Sequence, residues 1–134
     1  MRRAPPRRIT LDGVQYLWRV ADRLDHNTHP RLSLAHTTFT AYRAPLKHGA
    51  LVIIFTTWDD PRAGNPLNTG WPLPGPQGRP EVLNLNHPAL AERLIRYALA
   101  QGWNPEQTRS ALELDGLTVL SALGYDTTSL SVEK

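Results

Sequence analysis

The segment from His87 to Pro105, HPALAERLIRYALAQGWNP, carries a one-sided apolar stripe and constrains the fold more than any other part of the chain. The apolar positions recur at the spacing of an α-helix: Leu90, Ala91, Leu94, Ile95, Ala98 and Leu99. This spacing, with a proline at the start and Gly102 at the end, predicts an amphipathic helix. Because a helix with one apolar face must cover another element, we expect it to lie on a sheet.

The remaining segments read mainly as strands and predict the sheet that this helix covers. Asp12-Gly13 lies between two short apolar segments and predicts a β-hairpin. Further strands are expected at 31–43, with a bulge near Thr37, and at 50–58, with both sheet faces covered. Shorter strands are expected at 81–85 and 110–114, followed by a short helix over 116–123. The predicted fold class is α+β: a mainly antiparallel sheet of about four to six strands, covered on one face by one long and one short C-terminal helix.

The length of 134 residues predicts a single domain with flexible ends. Residues 1–8 are expected to form a flexible basic arm, 9–126 the α+β domain and 127–134 a polar tail. A polar loop is expected from 22 to 30. Residues 59–80 contain six prolines and four glycines, which predicts a long loop without regular structure.

Composition limits the expected environment of the chain. The first ten residues have arginines but no apolar segment of the kind found in signal peptides, and no apolar run approaches a membrane span. The absence of cysteine excludes disulfides and thiolate metal sites. We therefore expect a cytoplasmic protein without a membrane segment. No sequence motif indicates a cofactor.

The proline-rich segment suggests a site for binding another protein. Trp71 lies between glycine and prolines, so it could serve as a rigid aromatic anchor at low entropic cost. The candidate binding residues are Arg62, Trp71, Pro72 and Leu73. Equally, Trp71 could fold back over the edge of the sheet. The first functional hypothesis is a non-enzymatic binding protein, for example an accessory or immunity-type partner of another protein, with the oligomeric state open.

An uneven charge distribution supports a second hypothesis, nucleic-acid binding. Residues 1–48 hold nine basic and three acidic residues, so positive charge is concentrated in the front part. The candidate phosphate-binding residues are Arg2, Arg3, Arg7, Arg8, Arg19 and Arg43. Tyr16 and Trp18 could stack on bases, but their alternation with Val14 and Val20 favours a place in the core.

A metal-dependent or hydrolase-like enzyme is the third hypothesis. His26 and His29 are donors that could bind a divalent metal ion, although exposed loops commonly contain such residues. Asp59 and Asp60 follow an expected strand, where they could act in catalysis or simply begin a turn. No nucleophile elbow or phosphate-binding glycine loop accompanies them.

The order of four segments resembles small uncharacterised bacterial proteins. The segments are LDGVQYLWRV, GNPLNTGWPL, HPALAERLIRYALAQGWNP and LELDGLTVLSALGYD. The resemblance spans about residues 9–126 and rests on an N-terminal hairpin and a helix that ends in Gly-Trp-x-Pro. It implies a single domain and offers no catalytic motif to carry over.

Overall fold

The computed structural model describes residues 6–25, 33–44, 49–59, 66–106 and 111–130. The strands are β1 Arg7–Leu11, β2 Val14–Asp25, β3 Ser33–Arg43, β4 Leu51–Asp59, β5 Trp71–Pro74, β6 Pro80–Leu83 and β7 Leu112–Asp115. The helices are α1 Pro66–Thr69, α2 Pro88–Ala100 and α3 Gly116–Ala122, followed by a 3-10 helix at Thr128–Leu130. The main sheet has the order β1-β2-β3-β4-β7, and β5 and β6 form a separate two-stranded sheet. The predicted α+β class is confirmed.

The main sheet is antiparallel except where β4 and β7 run parallel. Its first hairpin turns at Asp12 and Gly13, whose φ angles of 51° and 81° both lie in the left-handed region. Two such residues are what a type I′ turn requires, so the hairpin predicted from this dipeptide is confirmed.

One face of the main sheet forms the core, and we call it the core face. Its fully or nearly fully buried side chains alternate along the strands: Leu11, Tyr16, Trp18, Ala35, Thr37, Phe39, Ala41, Leu51, Ile53, Phe55 and Thr57. Helix α2 contributes Leu90, Ala91, Leu94, Ile95 and Ala98 to the same core. Helix α3 begins directly against this face, since a Cβ on Gly116 would lie 2.2 Å from Phe55.

We call the opposite face the open face. Its side chains are half-buried or exposed along β1, β2, β3, β4 and β7. They are Arg8, Thr10, Gln15, Leu17, Arg19, Ala21, His36, Thr38, Thr40, Tyr42, Val52, Ile54, Thr56, Trp58, Glu113 and Asp115. The expectation that both faces of β4 are covered is therefore wrong for this face, because Val52 and Ile54 are only half-buried.

Both longer helices end with the same backbone motif. After α2, Gly102 has a φ of 103°, and the Trp103 amide donates to the Ala98 carbonyl at 2.9 Å. After α3, Gly124 has a φ of 100°, and the Tyr125 amide donates to the Leu120 carbonyl at 3.0 Å. These are Schellman ends, in which glycine adopts the left-handed conformation at no steric cost. The end of the main helix at Gly102, expected from the sequence, is confirmed.

Several expected boundaries differ from the structure. Strand β1 begins at Arg7, inside the expected arm, and β2 continues to Asp25, through the start of the expected polar loop. The registers of β2, β3 and β4 are continuous past Thr37, so no bulge occurs there. Leu130 is fully buried, which removes 128–130 from the expected polar tail.

The largest difference lies in the expected loop 59–80. Residues 66–69 form α1, and 71–74 pairs with 80–83 as an antiparallel ribbon. Because the ladder needs N–H donors at alternate positions only, prolines at the other positions leave the pairing intact. The abundance of proline therefore did not prevent regular structure.

Candidate protein-binding surface

The β5–β6 ribbon has one buried and one exposed side. Trp71 is in register with Leu83, and Leu73 with Glu81, so these four side chains share the inner side. Leu73 and Leu83 belong to the hydrophobic core. The outer side carries Pro72, Pro74, Pro80 and Val82, all exposed.

Prolines on β5 occupy the positions that do not bond to β6. Pro72 and Pro74 lack an N–H, so the donors of this strand must be Trp71 and Leu73. The Gly75 amide continues this alternation by donating to the Arg79 carbonyl at 2.8 Å. The free edge of β5 consequently presents ring carbons where another strand would need N–H groups, which blocks extension of the ribbon on that side.

Val82 is the one large hydrophobic side chain of the described ranges that is exposed, at 65% of its surface. Single exposed apolar residues are common on protein surfaces and by themselves indicate little. Here, however, Val82 lies directly across the ribbon from Pro72 and next to Pro80. The result is a contiguous rigid apolar ridge, which is a typical feature of binding surfaces.

A cleft of about 140 Å³ adjoins this ridge between β6 and the start of α2. It is lined by Glu81, Val82, Leu83, Asn84, His87, Ala89, Leu90 and Arg93. The helix begins with Pro88 and has no acidic residue in its first turn. The positive end of the helix dipole is therefore not neutralised by a side chain of that turn. We name the ridge and the cleft together the ribbon surface.

A polar network holds the ribbon against the two longer helices. The Tyr125 hydroxyl donates to Glu81 Oε1 at 2.9 Å, and Arg93 donates to both Glu81, at 3.1 Å, and the Tyr125 oxygen. The hydrogen bond from Tyr125, together with that from Arg93, holds the pKa of Glu81 below its ordinary value. Burial, and next the bond to Glu81, raises the pKa of Tyr125. The network fixes one wall of the cleft.

The structure places the proposed anchor, Trp71, against the sheet. Its ring meets Trp58 edge-on, with centroids 4.8 Å apart, and its Nε1 donates to Ser129 Oγ at 3.1 Å. Leu73 has no exposed surface, whereas Pro72 is exposed. Arg62 lies outside the described residues. Of the three candidate residues that the structure describes, Pro72 is thus the one that belongs to the ribbon surface.

The candidate arginines are distributed over both faces of the sheet. On the core-face side, Arg7 lies over the Trp18 ring, 5.3 Å from its centroid, and donates to the Asn86 carbonyl. Arg43 forms an ion pair with Glu106. On the open face are Arg8, which is exposed, and Arg19, which is half-buried. Arg2 and Arg3 lie outside the described residues, and nucleic-acid binding stays a prediction.

Tyr16 and Trp18 are buried in the core, as their alternation indicated. Burial of Tyr16 raises the pKa of its phenol, because the charged form would be poorly solvated. Trp18 stacks on Phe39 with centroids 5.7 Å apart. Neither ring is available to stack on bases.

The metal and enzyme hypotheses rest on residues that fall largely outside the described ranges. His26, His29 and Asp60 lie there, and Asp59 is described only as the last residue of β4. Within the described ranges, no three histidine, aspartate or glutamate side chains come close enough to hold a metal ion. Both hypotheses stay predictions.

Val82 is the residue that reasoning from the sequence missed. The short strand expected at 81–85 is present as β6, with the bounds Pro80–Leu83. Alternation from the buried Leu83 places Val82 on the opposite, outward side. An apolar residue at an outward position was the available signal.

Comparison with models of protein families, with curated proteins and with solved structures gives no match. In the part of the chain that the structure describes, no helix has the length and apolar character needed to cross a membrane.

Proposed function

We propose that this protein is a non-enzymatic binding domain that attaches to another protein through the ribbon surface. The observation that carries the proposal is the 65% exposure of Val82 beside a preformed cleft. When a partner covers an exposed apolar side chain at a rigid site, the free energy falls by about 25 cal/mol for each Å² of apolar surface that is buried. The biological role would be that of an accessory or immunity-type partner, which acts by occupying a surface of another protein.

The charges around the cleft indicate what the partner surface offers. Arg93 is 46% exposed and forms an ion pair with Glu81, and the start of α2 adds a partial positive charge. Exposed His87 also lines the cleft. A partner segment with an apolar side chain for the cleft and an acidic neighbour fits this arrangement.

Photo-crosslinking tests the proposal directly. A benzophenone amino acid placed at Val82 should crosslink to a specific protein in cells that naturally contain this chain. The same amino acid at Gln101, which is exposed at the far end of α2, should not. Val82 lines the cleft at the start of α2 and Gln101 follows its last residue, and the 13 residues of this helix span about 20 Å.

Affinity for the crosslinked protein then measures the contribution of Val82. We expect Val82→Glu to weaken binding at least about tenfold, because it places a charge in an apolar contact. Gln101→Glu, which adds the same charge elsewhere, should change affinity less than about twofold. Equal effects of both variants, or no crosslink specific to position 82, would refute the proposal.

A further inference from the structure

A row of side chains on the open face ends in two opposite charges. Arg19 of β2 is in register with Thr40 of β3. Thr40 is in register with Val52 of β4, which in turn faces Glu113 of β7. Residues in register on neighbouring strands point to the same side of a sheet. The row therefore reads, from one side of the sheet to the other: cation, hydroxyl, methyl, anion.

The two charges cannot neutralise each other within one chain. Three strand spacings separate Arg19 from Glu113, which is about 14 Å. Among the described residues neither side chain takes part in an ion pair, whereas Arg43, Arg93 and Arg96 all do. Glu113 is exposed and Arg19 is half-buried, so both can meet a surface placed over the open face.

A second copy of the same chain supplies that surface. A two-fold axis parallel to the strands and between β3 and β4 reverses each row across the sheet but keeps its position along the strands. Arg19 then faces the partner's Glu113, and Glu113 faces the partner's Arg19. We propose that the protein forms a symmetric homodimer by packing the open faces of two sheets against each other.

The neighbouring row supports the same arrangement. Ala21, Thr38, Ile54 and Asp115 lie in register on the same four strands. The axis places Thr38 against the partner's Ile54 and Ile54 against the partner's Thr38. The centre of the interface is then built from β-branched side chains, which interdigitate well between packed sheets.

The other in-plane axis, across the strands, places β2 over the partner's β2 and β7 over the partner's β7. That arrangement brings the arginine-bearing strands together and the acidic strands together, which opposes association. Charge therefore selects the axis parallel to the strands.

The axis lays β2 over the partner's β7 and β3 over the partner's β4, and β1 lies outside the overlap. With strands about 4.8 Å apart and a rise of about 3.3 Å per residue, the flat overlap is roughly 400 Å² per chain. This is about half of the roughly 800 Å² that each partner buries in a standard interface, so we expect a weak dimer that forms as concentration rises. The interface does not use the ribbon surface, so the dimer does not depend on the proposed function.

Sedimentation equilibrium of three proteins tests the dimer. The unchanged chain should dimerise, and Arg19→Glu should weaken dimerisation at least tenfold because it places two like-charged pairs in the interface. Glu113→Arg should weaken it to a similar extent. Circular dichroism should show unchanged folding, since both side chains are on the surface.

Mixing the two variants gives the decisive result. In the heterodimer of Arg19→Glu with Glu113→Arg, both contact sites pair opposite charges, so dimerisation should return to within threefold of the unchanged chain. The double variant should likewise recover. A monomer at all concentrations up to about 300 μM would overturn the proposal.

The proposal would also be overturned if mixing the two variants did not restore dimerisation. A third result would also overturn it: Glu113→Arg binds a single-stranded oligonucleotide more tightly, Arg19→Glu binds it more weakly, and mixing the two variants does not restore dimerisation. That outcome would assign the open face to nucleic acid.

Discussion

The phenol of Tyr125 joins three elements that are distant in the sequence. It lies just after α3, donates to Glu81 on β6 and accepts from Arg93 on α2. Tyr125 is nearly fully buried, so an unbonded hydroxyl there would be costly. Its hydrogen bonds therefore help to determine how the ribbon sits beside α2.

Removal of this hydroxyl should be visible in the titration of Glu81. Because the bond from Tyr125 is the largest cause of the lowered pKa, Tyr125→Phe should raise the pKa of Glu81 toward 4.5. An NMR titration of the Glu81 carboxyl carbon measures this. An unchanged pKa would mean that the bond is absent in solution.

The same variant should lose stability in a defined pH range. A carboxyl whose pKa is lowered by folding stabilises the protein above its unfolded-state value and loses this contribution as pH falls through the folded value. We expect Tyr125→Phe to be about 1 kcal/mol less stable near pH 7. The difference should shrink as pH falls below 4.5, as measured by denaturant unfolding at several pH values.

At the scale of elements, the ribbon shows how one strand serves two environments. Leu73 is fully buried and supplies a ladder donor, while its neighbour Pro72 is exposed and supplies none. Alternation of buried leucine with exposed proline is what an edge strand over a core requires.

Substitution of these neighbours should therefore have unequal effects. Leu73→Ala should lower the free energy of unfolding by about 2–5 kcal/mol, since it leaves a cavity in the core. Pro72→Ala should cost about 1 kcal/mol or less, mainly through greater freedom of the unfolded chain. Urea denaturation of both variants checks this, and comparable losses would show that the ribbon does not cover the core as described.

Elements with a clear period were predictable from the sequence. Helix α2 was predicted from the spacing of Leu90, Leu94 and Ala98, and the first hairpin from Asp12-Gly13. The ribbon was not predictable, because a proline is compatible with a strand only at positions that need no N–H donor, and those positions depend on the partner strand. The parallel pairing of β7 with β4 depends on a partner about 60 residues away, which local patterns do not encode.

For the candidate site, the sequence and the structure point to the same segment but to opposite sides of it. The sequence suggests Trp71 as an aromatic anchor for another protein, but the pairing of β5 with β6 places Trp71 on the inner side with Leu73. Pro72 and Val82 form the exposed side because they are in register with each other. The sequence of one strand does not identify its pairing partner. The composition of the outward surface, which both strands form, was therefore not predictable.

At the scale of the whole molecule, the main sheet has two faces with different surroundings. Helices α2 and α3 contribute to the core on one face, while the other carries threonine, β-branched and charged side chains. The ribbon surface and the open face are thus two separate surfaces. We propose the first as the site for another protein and the second as the interface of a homodimer.

Thiol labelling offers the most direct test of the central claim that Val82 lies on a protein-binding surface. The chain contains no cysteine, so each introduced thiol reports one position. In the purified protein, Val82→Cys and Gln101→Cys should both react rapidly with a maleimide, and Leu94→Cys should not. In cells that naturally contain this chain, labelling at position 82 should become at least about tenfold slower while position 101 is unchanged. Equal labelling at 82 and 101 in those cells would contradict the claim.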